Sequence, residues 1–232
     1  METTYRVVLL DMDGTFLDSR GKGEIPNEWA YEAFRKSLRH YGITLSIKEI
    51  NNLFLAPLRS EGAEGVRKFC KIFGLDSDEF WARREKDVIE SKIEAMRRGV
   101  IKPCKGSEQM IKYLSEKFHL AVVSDSQQVC VDYALEHFNL KPYFTIWYGR
   151  KSDLKSLAKR KPSPFYINRV LHELNIRREA AILADDSPVG ILAAKNAGID
   201  SVLISHNEEK RMKYEGEPTF SVKNIGELRM LL

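Results

Sequence analysis

The sequence predicts an α/β protein: a Rossmann-like parallel sheet with helices on both faces, carrying an inserted all-helical cap. Three observations carry this. A short aliphatic and β-branched run near the N-terminus passes at once into carboxylates and a glycine. From Pro103 onward, strand-like and helix-like segments alternate, the order of a parallel sheet covered on both faces. Between the two, the chain from Pro26 to Lys102 shows helical periodicity and no strand signal.

Taken in order, Tyr5–Leu10 reads as a buried strand entering a tight loop. Glu28–His40 repeats Trp29, Ala33, Phe34 and Leu38 at helical spacing, and a second helix is expected over Ser46–Phe54. Ser60–Phe73 sets Val66, Phe69, Cys70 and Phe73 on one face, with Gly74 as its stop. Ser77 is the expected N-cap of a long helix reaching about Arg98. Helices then follow over 106–117, 127–138, 164–174 and 188–197, with strands at 120–124, 144–148, 180–184 and 201–204. A short strand near Phe220 and a helix from about Asn224 close the chain. The expected division is 1–18 with 103–232 for the α/β core and 19–102 for the cap.

Composition narrows the classes. No apolar run approaches the roughly 20 residues of a bilayer span, and no signal peptide opens the chain. Cys70, Cys104 and Cys130 are too scattered for a disulfide framework or a cysteine zinc site. A cytoplasmic protein, monomer or homodimer, is expected, with no membrane or nucleic-acid partner. The net charge of +4 comes from residues 19–102, with 17 Lys and Arg against 13 Asp and Glu; the rest carries 20 of each. An excess so small is not a nucleic-acid-binding face. The basic run Arg150–Lys161, apart from Lys161, reads as a solvated loop.

Ligands of an open parallel sheet bind beyond the carboxyl ends of its strands. Asp11 and Asp13 follow the first strand, Ser124 and Asp125 the strand at 120–124, and Asp185 and Asp186 the strand at 180–184, while Lys161 precedes the helix leading to that last strand. Taken singly, each has a plain structural role: an Asx turn, a helix cap or a surface lysine. Together they put carboxylates, a hydroxyl and an ammonium on one sheet edge. Clustered carboxylates without His or Cys suit a hard ion such as Mg²⁺. Residues i and i+2 of an extended chain face the same way, so Asp11 and Asp13 can act on one substrate. The set suits a phosphoryl group, with one Asp as nucleophile and a second as acid and base.

Asp11-Met-Asp-Gly-Thr-Phe-Leu-Asp18, Leu120-Ala-Val-Val-Ser124, Lys161-Pro-Ser-Pro and Asp185-Asp-Ser-Pro-Val-Gly190 resemble, in order, the four signatures of the haloacid dehalogenase-like hydrolases. The resemblance implies Asp11 as nucleophile and metal ligand, and Asp13 as acid and base with its carbonyl on the metal. It implies Ser124 and Lys161 on the phosphoryl group, Asp186 as a direct ligand of Mg²⁺, and Asp185 acting through water. Asp125 stands where Asn is common; its backbone N–H, which would face the phosphoryl group, is unaffected. The helical block falls where this family inserts its cap, and Leu55-Ala-Pro-Leu-Arg59 resembles the cap segment of phosphoglycolate phosphatase-like members. Arg59, expected in a loop after Pro57, is the chosen specificity residue ahead of Arg67 and Lys68, although each is also an ordinary surface charge. The implied activity is hydrolysis of a small phosphorylated metabolite. A β-phosphoglucomutase-like mutase is the alternative, and a non-catalytic phosphorylation switch the more distant one.

Overall fold

In the computed structural model, which describes residues 5–21, 24–205 and 217–232, six parallel strands form one sheet. They are β1 (Val7–Leu10), β4 (His119–Gln127), β5 (Ile146–Arg150), β6 (Ala181–Asp185), β7 (Asp200–Ile204) and β8 (Phe220–Val222), in the order β5-β4-β1-β6-β7-β8. β1 is central because all four of its residues are apolar. Val7 to Leu10 pair with His119 to Val122 on one side and with Ala181 to Ala184 on the other. Tyr5 and Arg6, expected in this strand, precede it, and Arg6 is exposed.

The pleat sends alternate residues to opposite faces. Val8, Leu10, Val122 and Ile182 join one core cluster, whereas Val7, Leu9, Ala121 and Leu183 join another. The helices α6 (Ser107–Ser115) and α7 (Gln128–His137) cover the first face, and α8 (Phe165–Glu173) and α9 (Pro188–Ala197) the second. The C-terminal segment Ile225–Met230, expected as a helix, is a 3₁₀ turn.

A two-stranded antiparallel ribbon that periodicity does not reveal joins β2 (Leu17–Asp18) to β3 (Lys102–Pro103). It ties together the two ends of the helical insertion. Each strand is two residues long, too short for a pattern to register.

The insertion holds α1 (Glu28–His40), α2 (Ile47–Glu49), α3 (Ala56–Glu61), α4 (Ala63–Phe73) and α5 (Ser77–Arg97). Three features differ from expectation. The predicted helix 46–54 begins with a Ser46–Glu49 capping box but continues as a π-helix over Ile50–Leu55. The predicted helix 60–73 is two helices, broken where Gly62 takes φ 60°, ψ −125°. Asp76, rather than Ser77, is the N-cap of α5, accepting from the backbone N–H groups of Asp78 and Glu79. Phe34, Phe54, Phe69 and Phe80 pack ring on ring, with Phe34 stacked on Phe54 at 4.3 Å, and Trp81 closes the cluster. Burial of each such side chain contributes on the order of 1.5–3 kcal/mol.

The run 150–161 is solvated only in part: Lys151, Lys155 and Lys159 are exposed as expected, but the segment is not a free loop. Leu154–Lys159 is a 3₁₀ turn whose Leu154 and Leu157 enter the aromatic cluster of the insertion. Arg150 is 5% exposed, because a partner in the insertion receives it. Among the described residues no helix is long and apolar enough to cross a membrane. Cys70 and Cys130 are buried free thiols and Cys104 a half-buried one.

Candidate active site

The carboxyl ends of β1, β4 and β6, where the strand order reverses around β1, bring the predicted residues together. Asp11 leaves β1, and its backbone N–H still bonds Ala184 O at 2.9 Å, so it stays in register with Asp185 at the end of β6. Lys161 reaches in from the segment before α8. Its ammonium donates to Asp11 Oδ1 and to Asp185 Oδ2, both at 2.6 Å. Asp11, Asp185 and Asp186 each offer a carboxylate oxygen within 4.8 Å of the others.

Two close approaches keep the carboxylates in place. Gly14, at φ +90°, faces Asp186, and a Cβ there would lie 2.2 Å from its carboxylate. At Gly190, in the first turn of α9, a Cβ would lie 1.9 Å from Asp185 Oδ2. Ser187 is the N-cap of α9 and also donates its hydroxyl to Asp185 Oδ1 at 2.6 Å, so cap and site share one residue.

The cluster is short of positive charge. Burial would lower the Lys161 ammonium, but the carboxylates of Asp11, Asp185 and Asp125 outweigh it and hold its pKa well above the ordinary lysine value. Burial pushes Asp11 well above the usual carboxylate range, and Lys161 pulls it back only in part. Burial, then the charge of Asp185, pushes Asp186 up to about 6. Three converging carboxylates face one buried ammonium, Lys161, and the exposed Arg20 guanidinium 3.9 Å from Asp186, so the cluster stays net negative, which a divalent cation would offset. The donors are all oxygen, with no nitrogen or sulfur among them, and so fit a hard ion of the Mg²⁺ type.

Ser124 is buried within β4, toward its carboxyl end, and its Oγ accepts from the Ser126 N–H at 3.1 Å. Asp125 is not one of the three grouped carboxylates; its Oδ1 accepts the Lys161 N–H at 3.0 Å, while its carbonyl accepts from Arg150 Nε at 2.9 Å. The negative charge that departs from the family pattern is thus spent on holding the lysine segment. Burial pushes its carboxyl up. Asp13 points toward the helical insertion rather than into the three-carboxylate cluster.

Arg59 is not in a loop. It lies within α3, because Pro57 sits in the first turn, where its missing N–H costs nothing, and it is exposed. No contact joins it to the carboxylates.

Periodicity passes over five residues that the structure brings to the site or its rim: Lys92, Ser126, Glu85, Arg150 and Gln127. Lys92 on α5 donates to Asp13 Oδ2 at 2.5 Å and to Ser126 Oγ at 2.6 Å. Glu85, two turns earlier on α5, receives both terminal nitrogens of Arg150 at 2.6 and 2.9 Å, and Gln127 Nε2 at 3.1 Å. A signal was available. Trp81, Glu85, Val88, Lys92 and Met96 recur at helical spacing and are all buried, so two charges occupy the apolar stripe of α5.

Fold and site together define a class: a capped, doubly wound α/β enzyme with its acidic centre at the topological switch point. The chain belongs to the haloacid dehalogenase-like hydrolases, whose family model matches residues 8–204. It is 25% identical to a phosphorylated carbohydrates phosphatase of Thermotoga maritima, covering 84% of this chain and 82% of that one. It is 26% identical to a phosphoglycolate phosphatase of Aquifex aeolicus, covering 85% and 84%. The crystal structure of CbbY from Rhodobacter sphaeroides in complex with phosphate shares the fold, with a TM-score of 0.72 over 97% of this chain and 96% of that one at 20% identity.

Proposed function

We propose that the chain is a Mg²⁺-dependent phosphatase of a small phosphorylated metabolite, working through an aspartyl-phosphate on Asp11. The observation that carries this reading is Lys161 bridging Asp11 and Asp185 beside Asp186, at the sheet edge and beneath the insertion. Asp11, Asp186, the Asp13 carbonyl and, through water, Asp185 would hold the cation. When bound there, Mg²⁺ supplies positive charge to the phosphoryl oxygens.

The chain's own residues do the rest. An Asp11 carboxylate oxygen attacks phosphorus as the bond to the leaving oxygen breaks, and Asp13 gives that oxygen its proton. Ser124 and Lys161 hold the phosphoryl oxygens. A water then attacks phosphorus, gives its proton to Asp13, and the bond from phosphorus to Asp11 breaks, releasing phosphate. Residues 19–102 act as the cap that excludes bulk water and reads the leaving group, with 1–18 and 103–232 as the core. Arg59 is the residue proposed to meet a second anionic group.

The relatives' names, a carbohydrate-phosphate phosphatase and a phosphoglycolate phosphatase, support this class of substrate. A panel of sugar phosphates, phosphoglycolate and pyrophosphate, each assayed with Mg²⁺ and again with EDTA, tests it. Phosphate release that EDTA stops is expected. Release undiminished by exhaustive chelation overturns the metal assignment. An isomerised sugar phosphate in place of free phosphate replaces the phosphatase by the mutase reading.

A further inference from the structure

Lys92 is buried on a cap helix, yet its ammonium crosses to the core. It donates to Asp13 Oδ2 and to Ser126 Oγ, and the Ser126 hydroxyl donates to the same Asp13 Oδ2 at 2.6 Å. Asp13 Oδ1 is buried as well and has no hydrogen-bond partner. The carboxylate is held unevenly, one oxygen clamped twice and the other bare. The ring of Trp29 flanks the Lys92 ammonium at 5.8 Å, and its Nε1 is anchored on Ser19 O at 2.8 Å, next to β2 of the two-stranded ribbon. Lys92 therefore has a fixed path to Asp13 rather than a choice of surface partners.

We propose that Lys92 and Ser126 are positioning residues that fix Asp13, with the cap closed, for the water step. This rests on the two-step reading above. Once Asp13 has given up its proton it is a carboxylate, the form that accepts both donors at once. Its bare Oδ1 then takes the proton of the attacking water, as the water oxygen bonds to phosphorus and the bond from phosphorus to the Asp11 oxygen breaks. The Asp11 carboxylate and inorganic phosphate result. Because Lys92 belongs to the cap while Asp13 and Ser126 belong to the core, hydrolysis of the phosphoenzyme is tied to cap closure.

The test uses the whole protein with Mg²⁺ and p-nitrophenyl phosphate, whose good leaving group needs no proton from Asp13 in the first step. Nitrophenol release is followed from the first turnover, and acid-quenched protein is weighed for one added phosphoryl group. Asp13→Ala is the control and retains the group on Asp11. Lys92→Met is expected to give a burst of nitrophenol, a retained phosphoryl group and steady turnover slowed about 10-fold or more, a part of the 10²–10⁴ that acid–base help supplies. Ser126→Ala shows the same signature more weakly, and it decides the matter if Lys92→Met does not fold. Slowed release without a burst in the folded variants, or unchanged turnover, overturns the inference. Absence of a retained phosphoryl group even in Asp13→Ala overturns the two-step reading first, and this inference with it.

Discussion

The core and the cap bury similar kinds of side chain but place their charges by different rules. In the core, the charged groups of the site sit in the last residues of β4 and β6 or just past β1 and β6, after runs of buried aliphatic residues, with Lys161 reaching in from the segment before α8. In the cap they sit within the buried stripe of one helix. Glu85 and Lys92 of α5 occupy positions that an apolar residue would fill, each matched by a group from the core. A strand end exposes its chemistry to a ligand. A charge within a helix stripe is committed to a partner in the other domain, and so serves alignment of the two.

The largest effects should fall on the core. Asp11→Asn replaces the nucleophile with an amide and is expected to cost at least about 10⁴ in kcat, in line with loss of the nucleophile in other covalent enzymes. Single-turnover release from an aryl phosphate measures it, and a loss below 100-fold would place the chemistry elsewhere.

Docking comes next. Glu85→Ala leaves Arg150 buried against the face of Trp81 without its carboxylate. Breaking one partner of a buried pair costs about 3–5 kcal/mol. Thermal unfolding should show that loss, with limited proteolysis opening the cap first. The double variant Glu85→Met with Arg150→Met should recover part of it, because Arg150 is then no longer a buried charge without its carboxylate, and only part, because Arg84, which also pairs with Glu85, keeps its charge and loses that partner. Equal destabilisation of single and double variants would mean the pair is not what joins the domains.

A smaller effect is expected if the insertion reads the leaving group. Arg59→Ala should raise KM about 10-fold for a substrate with a second anionic group, matching a charged hydrogen bond of roughly 1.5–3 kcal/mol, and should leave an aryl phosphate unchanged. Equal losses on both would assign Arg59 to folding, and its exposed place in α3 makes that outcome a sharp one.

The smallest effect sharpens the comparison through pH. Asp87 lies buried on α5 and takes bonds from Arg83 at 2.8 Å, Ser37 at 2.9 Å and Lys36 at 3.1 Å. Burial alone would raise its carboxyl; these partners outweigh burial and hold it below the ordinary value of 3.8. A carboxyl lowered in the folded state stabilises fully above its unfolded pKa and loses that contribution as pH falls through its folded value. Asp87→Asn should therefore lower Tm at pH 7 and converge with the parent well below pH 3.8. A gap that persists unchanged into acid would assign the loss to packing.

Much of this was legible before the fold was known. The alternation after Pro103 gave a parallel sheet, and the polar residues ending Val7–Leu10, 120–124 and 180–184 were placed on one edge, because a buried parallel strand must be apolar throughout and its chemistry must begin where it stops. Asp11, Ser124, Asp185 and Asp186 follow from that rule, while Lys161 follows from the resemblance of Lys161-Pro-Ser-Pro to a family signature. Lys92, Glu85 and Arg150 do not. A Lys or Arg in a helix or a basic run reads as solvated, since the cost of burying it is met only by a partner distant in sequence, 79 residues away for Lys92 and 65 for Arg150. The partner of the Asp125 carboxylate, the break at Gly62 and the two-stranded ribbon of β2 and β3 are also set by what lies across the chain. The sequence by itself determined the sheet, the helical insertion and the acidic edge, because periodicity and strand-end chemistry are local. The tertiary structure alone decided how the cap is fastened to that edge, because a buried charge is tolerated only where another part of the chain brings its counter-charge.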